Sequence, residues 1–265
     1  MHKHISSVQN SWVKSLVLLT EKSKYRKQTQ TFIVEGQREL KLAIESSYQI
    51  EQLVYYSALL PDDFKVDSIA AKDYIQVSKE VYEKIAYRGS TEGILAVVKN
   101  KTIALDALTF ATKTPLILVA EAPEKPGNIG AMLRTADAAK IDAVLIANPK
   151  TDLYNPNIIR SSVGCLFTNQ VATGSTQEIL AYLKKQNIQT YAAALKEDSE
   201  AYHHQDFTQA IALVVGTEAV GLSEEWLNHT DKKIIIPMQG KIDSMNVSVA
   251  AGILIFEAKR QRNFN

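Results

Sequence analysis

A chain of 265 residues with 46% hydrophobic and 22% charged side chains has the composition of a globular protein, long enough for two domains, and this excludes a disordered or fibrous chain. The net charge of +1 does not by itself announce a nucleic-acid partner, and no apolar run approaches the roughly 20 residues that a membrane span needs. The single cysteine, Cys165, cannot form an internal disulfide, which suits a reducing compartment and makes cytoplasm the expected location.

Residues 1 to 46 carry eight basic against four acidic side chains, a local net charge of +4. Lys3, Lys14, Lys22, Lys24, Arg26, Lys27, Arg38 and Lys41 are candidates for meeting phosphates, and a solvated helix face explains the same charges equally well. The short apolar run Leu16 to Leu19 runs into Glu21, Lys22 and Lys24 without a cleavage pattern, so no secretion signal is expected. Short β-like runs follow at Phe32 to Val34, Leu53 to Tyr56, Ile75 to Val77 and Ile94 to Val98, alternating with helical periodicity such as Arg38 to Ile44. They predict a small α/β domain over residues 1–105, with a connection at 99–113.

From Pro115 the pattern changes to near-continuous apolar strands, Leu116 to Ala120, Ala143 to Ala147, Thr190 to Leu195, Ala210 to Val215 and Ile234 to Pro237. Helices are expected between or after them at Asn128 to Lys140, Asn157 to Val163, Thr176 to Asn187 and Val247 to Arg262. Strands alternating with helices predict a parallel-sheet α/β domain over 106–265, with ligands beyond the carboxyl ends of the strands.

Three loops carry chemical side chains there. The first, Pro126 to Arg134, has a proline and two glycines in a tight turn, Asn128 placed to cap the helix, and Arg134 in need of an anionic partner or simply exposed. The second, Val214 to Ser223, runs an apolar strand into a glycine-bounded turn holding Glu218, where glycine lets a ligand approach the backbone, or where Ser223 only caps a helix from Glu224. In the third, Ile236 to Asn246, Ser244 and Asn246 are both N-cap types, one more than a single helix needs. The chain has no GxGxxG fingerprint and no phosphate-binding GxxxxGK[ST] loop. His203 and His204 with Asp206 read better as solvated side chains than as metal ligands, and Cys165 as a buried thiol.

Taken together, "PGNIGAMLRTADA" (126 to 138), "VVGTEAVGLS" (214 to 223) and "IPMQGKIDSMNVSVAAGILIFE" (236 to 257) resemble the three signature motifs of the SpoU/TrmH family of RNA ribose methyltransferases. Upstream, "FIVEGQRELKLAIES" (32 to 46) and "GSTEGILAVV" (89 to 98) resemble the small substrate-binding domain of many members. The resemblance implies a parallel-sheet domain whose C-terminal segment forms a deep trefoil knot, a rare exception to the rules of chain connection. It further implies S-adenosylmethionine as cofactor without a metal, a homodimer, and an RNA site between subunits.

Carried over by position, Gly216, Leu222, Ile236, Met238 and Met245 would contact the cofactor, and Asn128, Arg134, Glu218, Ser244 and Asn246 would form the catalytic set. A guanidinium is a poor base, so Arg134 is expected to bind a phosphate and polarise the ribose 2′-hydroxyl, with Glu218 orienting it and Ser244 and Asn246 holding the ribose or cofactor edge. Ala219, Lys125 and Met245 depart from the usual pattern without removing a candidate group. The implied reaction is 2′-hydroxyl methylation of RNA, with ribosomal RNA of the 23S type favoured by the N-terminal domain. The alternatives are a transfer-RNA ribose methyltransferase, a catalytically inactive knotted RNA-binding protein, and a small-molecule α/β enzyme.

Overall fold

The computed structural model describes residues 2–87, 92–217, 220–242 and 244–264. In chain order its elements are β1 (His2–Ile5), α1 (Ser11–Glu21), α2 (Ser23–Thr29), β2 (Thr31–Glu35), α3 (Gln37–Glu45), β3 (Ile50–Tyr55), β4 (Asp73–Val77), α4 (Lys79–Ile85) and β5 (Ile94–Lys99). Then come β6 (Leu116–Glu121), α5 (Pro126–Ala139), β7 (Ala143–Ala147), α6 (Pro156–Ser161), α7 (Cys165–Thr168), β8 (Val171–Gly174), α8 (Thr176–Lys185), β9 (Gln189–Ala193), β10 (Glu200–Ala201), β11 (Ile211–Val215), α9 (Glu224–His229), β12 (Lys232–Ile235) and α10 (Val247–Gln261). They form two compact units, residues 1–102 with 152–168, and residues 103–151 with 169–265.

The first unit is a five-stranded mixed sheet in the order β1-β4-β3-β5-β2, parallel at β1, β4 and β3 and antiparallel where β5 pairs with β3 and β2. Val13, Leu16 and Leu19, three residues apart, make a single apolar stripe on α1 that packs on Ile33, Val54 and Leu95 of the sheet. The run Leu16 to Leu19 is therefore part of an amphipathic helix, capped by Asn10, whose side chain accepts the Trp12 N–H at 2.9 Å.

Arg26, one of the candidates for meeting phosphate, is instead buried. Its guanidinium donates to Asp152 at 2.5 Å and to the Leu19 and Thr20 carbonyls at 2.7 and 3.1 Å. A buried arginine needs such partners, and this set leaves little for a ligand. The same contacts explain why 152–168 folds with the first unit: Tyr154 stacks on Phe32 at 4.2 Å and Phe167 meets Tyr48 edge-on at 5.1 Å. Cys165 is half-buried at the start of α7 rather than fully enclosed.

The second unit is a seven-stranded sheet in the order β10-β12-β9-β11-β6-β7-β8, parallel at every pairing. β6, β7 and β11 are buried along their whole length, as apolar runs covered on both faces should be. α10 packs against α5, β6 and β11. Two strands end earlier than their apolar runs. β9 stops at Ala193, leaving Leu195 59% exposed, and β12 stops at Ile235 because Pro237 has no N–H for a ladder.

Candidate functional site

The three loops all emerge at the carboxyl ends of the parallel strands. After β6 the chain turns at Ala122, with φ of 45°, and α5 begins at Pro126. Proline is suited to that first position because its missing N–H has no helical partner to lose. Asn128 thus lies inside the first turn and not at the cap. Lys125 occupies the cap without a side-chain cap bond, while the Asn128 Oδ1 accepts from the Asn246 Nδ2 at 3.2 Å.

The loop after β11 folds back on itself. The Thr217 and Gly221 backbones exchange two hydrogen bonds, at 3.0 and 3.1 Å, and Gly221 takes φ of 71°. A Cβ on Gly216 would lie 2.3 Å from the Gly221 carbonyl carbon and 2.5 Å from the Leu222 nitrogen. Glycine at 216 is therefore required by the loop's own backbone, a different reason from the ligand approach expected from sequence. Ser223 does stand at the N-cap of α9, but it makes no side-chain cap bond. Glu218 and Ala219 lie outside the described residues, so the placement expected for Glu218 has no structural counterpart here.

In the third loop Asn246 is the N-cap of α10, accepting from the Ser248 N–H at 3.0 Å and the Ser248 hydroxyl at 2.5 Å. One asparagine thus closes the helix with its oxygen and reaches Asn128 with its nitrogen. Ser244 is the surplus polar residue.

These loops surround two adjoining hollows. The larger, about 500 Å³, is lined by Gly216, Leu222, Ser244 and Met245 together with Leu195 and Lys196. Its size is that of a site for a nucleoside-scale molecule. At its rim Lys196 pairs with Glu224 at 3.5 Å. The smaller, about 110 Å³, is lined by Lys125, Asn128, Met132, Gly216, Thr217 and Val247. Gly216, Thr217 and Val247 belong to both walls.

Ile236 and Met238 are half-buried beyond β12 and do not line either hollow. Arg134 is exposed on α5 and lines neither. Six positions after Asn128, it stands roughly 9 Å farther along the helix and about 120° round it. Lys196 and Thr217 were missed in the sequence because a lysine after an apolar run and a threonine after a glycine carry no pattern of their own.

Comparison with known proteins identifies the family. A model of the SpoU rRNA methylase family matches residues 115–256, and one of the MRM3-like substrate binding domain matches residues 10–96. A relative from Bacillus subtilis (strain 168), named 23S rRNA (guanosine(2553)-2′-O)-methyltransferase RlmP, is 30% identical over 97% of this chain and 99% of its own. The crystal structure of an RNA 2′-O ribose methyltransferase is 35% identical with a TM-score of 0.84, covering 98% of this chain and 99% of that one. An AdoMet-bound rRNA methyltransferase from Sinorhizobium meliloti is 26% identical with a TM-score of 0.87, covering 98% of each chain. The chain belongs to the SpoU rRNA methylase family.

Proposed function

We propose that this protein methylates a ribose 2′-hydroxyl of RNA, with S-adenosylmethionine as methyl donor and ribosomal RNA as substrate. The observation that carries this reading is the shared wall: a nucleoside-sized hollow and a small hollow bordered by Asn128 meet across Gly216, Thr217 and Val247. The larger hollow fits the donor. Leu222, Met245, Val247 and Ala250 offer it apolar walls, and Thr217 and Ser244 add hydroxyls for its polar edge.

When bound, S-adenosylmethionine supplies a methyl group on a positively charged sulfur, open to attack by an oxygen. The chain's part is alignment and proton handling. Asn128 and Asn246, tied amide to amide, would hold the ribose hydroxyl at the mouth of the small hollow. Arg134 would grip the adjacent phosphate and polarise the hydroxyl rather than take its proton. Glu218 is proposed to orient that arginine, and Ile236 and Met238 to close on the cofactor once it is bound.

The reading includes a homodimer with the RNA held between subunits, supported by Val249 (53% exposed) and Phe256 (43% exposed), seven positions apart on α10 and hence on one face. It includes the trefoil knot in the C-terminal segment, supported by family membership, and a domain division near residue 105 from which residues 152–168 depart by folding with the first unit. Among the described residues no helix is long and apolar enough to cross a membrane. We place the reaction in the cytoplasm on the lone Cys165.

The test is transfer of labelled methyl from S-adenosylmethionine to total RNA lacking the modification, followed by nuclease digestion and nucleoside mass spectrometry. A 2′-O-methylnucleoside from the ribosomal fraction is the expected product. A folded protein that binds the cofactor but methylates only transfer RNA, or nothing, would overturn the substrate or the catalytic reading respectively.

A further inference from the structure

Glu121 is the last residue of β6 and is only 5% exposed. Its carboxylate accepts three hydrogen bonds from neutral donors: the Ser223 N–H at 2.8 Å, the Ser223 hydroxyl at 2.6 Å and the Thr176 hydroxyl at 3.1 Å. Thr176 in turn accepts from the Asn148 side chain at 2.9 Å. Among the described residues no lysine, arginine or histidine pairs with Glu121. A buried carboxylate without a cation is costly unless several donors converge on it, and here they converge from the start of α8 and the start of α9.

The place of this group gives it a consequence for the site. Ser223 directly follows Leu222, the last residue of the loop that lines the larger hollow. Its hydroxyl, which could have capped α9, is diverted to Glu121 instead. On the other side, Glu121 directly precedes Ala122 and the turn that leads to Lys125 and Asn128 on the smaller hollow. One carboxylate therefore fastens the far end of the second loop to the root of the first. Of the wall common to both hollows, Gly216 and Thr217 belong to the loop so fastened, which is closed at its near end by the Thr217–Gly221 bonds.

We propose that Glu121 is a positioning residue for methyl transfer, a clasp that sets the cofactor loop against the nucleophile loop through Ser223. An acceptor-only side chain is what the position needs. In a glutamine, one end of the group would present N–H either to the Ser223 N–H, which can only donate, or to the two hydroxyls, which would then have to reorient. The proposal rests on the methyltransferase reading above.

It is tested by Glu121→Gln, Ser223→Ala and the double variant, each measured for S-adenosylmethionine affinity by calorimetry, for RNA affinity, and for kcat and KM toward both substrates. Loss of a charge-assisted bond to the loop should raise the cofactor Kd and KM of Glu121→Gln about tenfold, leaving RNA affinity unchanged. Ser223→Ala keeps the backbone donor and should cost about threefold. The double variant should be no worse than Glu121→Gln alone, since both substitutions break one contact. Unaltered cofactor affinity with a lowered Tm, or additive losses in the double variant, would show a purely structural role and overturn the clasp. If Glu121→Gln does not fold, Ser223→Ala decides by its own split between cofactor and RNA. A folded parent protein that binds no S-adenosylmethionine would overturn the functional reading instead.

Discussion

The two ends of the parallel sheet use similar polar side chains for opposite ends. At the amino ends of the strands Arg262 donates to the carbonyls of Thr114 at 2.6 Å, Phe207 at 2.7 Å and Gln209. Asp142 takes the Leu116 N–H at 2.7 Å, and Gln261 takes the Phe207 N–H at 2.7 Å. Burial draws the Arg262 guanidinium below its ordinary pKa, partly offset by Asp142 and Asp206, and the carbonyls keep its charge solvated. These groups are consumed by backbone that would otherwise be unsatisfied. At the carboxyl ends, Ser244 and Asn128 instead face hollows. Polar groups that close backbone set stability, and those that border space are available for chemistry.

That contrast is broken most severely by Arg134→Ala. Arg134 is exposed and, among the described residues, serves neither backbone nor either hollow, so its loss should leave the fold and cofactor affinity intact while lowering methyl transfer about a thousandfold. The check is kcat beside a calorimetric Kd for S-adenosylmethionine; a collapse of that Kd would place Arg134 in the cofactor wall. Next in size is Gly216→Ala. The added carbon would meet Gly221 backbone at 2.3 Å, and backbone cannot swing aside as a side chain can. The loop must open, and cofactor affinity should fall about a hundredfold, near 3 kcal/mol. Affinity within a factor of two would mean that the loop tolerates opening and is not the wall described.

Arg262→Ala probes the opposite end. Removing a guanidinium that closes three carbonyls should cost about 2–3 kcal/mol. By the usual scaling for this size, Tm should fall by about 5–10 °C. Transfer at a permissive temperature should be unchanged. A loss of kcat or cofactor affinity without a change in Tm would erase the distinction between the two ends.

How far this was legible in the sequence follows the same division. Strands buried on both faces announce themselves, and the run Ala143 to Ala147 matches β7 residue for residue. β8, with Val171 and Ala172 followed by a threonine and a glycine, and the two-residue β10 lack such a signal. Gly216, Leu222, Ser244 and Met245 were found through motif resemblance, and one hollow gathers them. The partners that fix them were not legible. Glu121 is one of 29 acids in the chain and reads as a polar end to an apolar strand until the fold brings Ser223, 102 positions away, against it. Arg26 read as surface charge because its partner Asp152 lies 126 positions on.

Asn246 stands on both sides of the comparison and offers its finest test. Its oxygen caps α10, a backbone service, while its nitrogen reaches Asn128 beside the small hollow. Serine and alanine separate the two. Asn246→Ser retains a side chain that caps helices almost as well but is too short to bridge to Asn128, whereas Asn246→Ala removes both contacts. Alanine should therefore lower stability by about 1 kcal/mol and serine by only a few tenths. Both should slow transfer about tenfold, the loss of one well-placed hydrogen bond. Thermal melts and kcat measured on the same preparations decide the matter. If serine restores transfer as well as stability, the bridge to Asn128 is without chemical weight, and Asn246 belongs with Arg262 among the side chains that only close backbone.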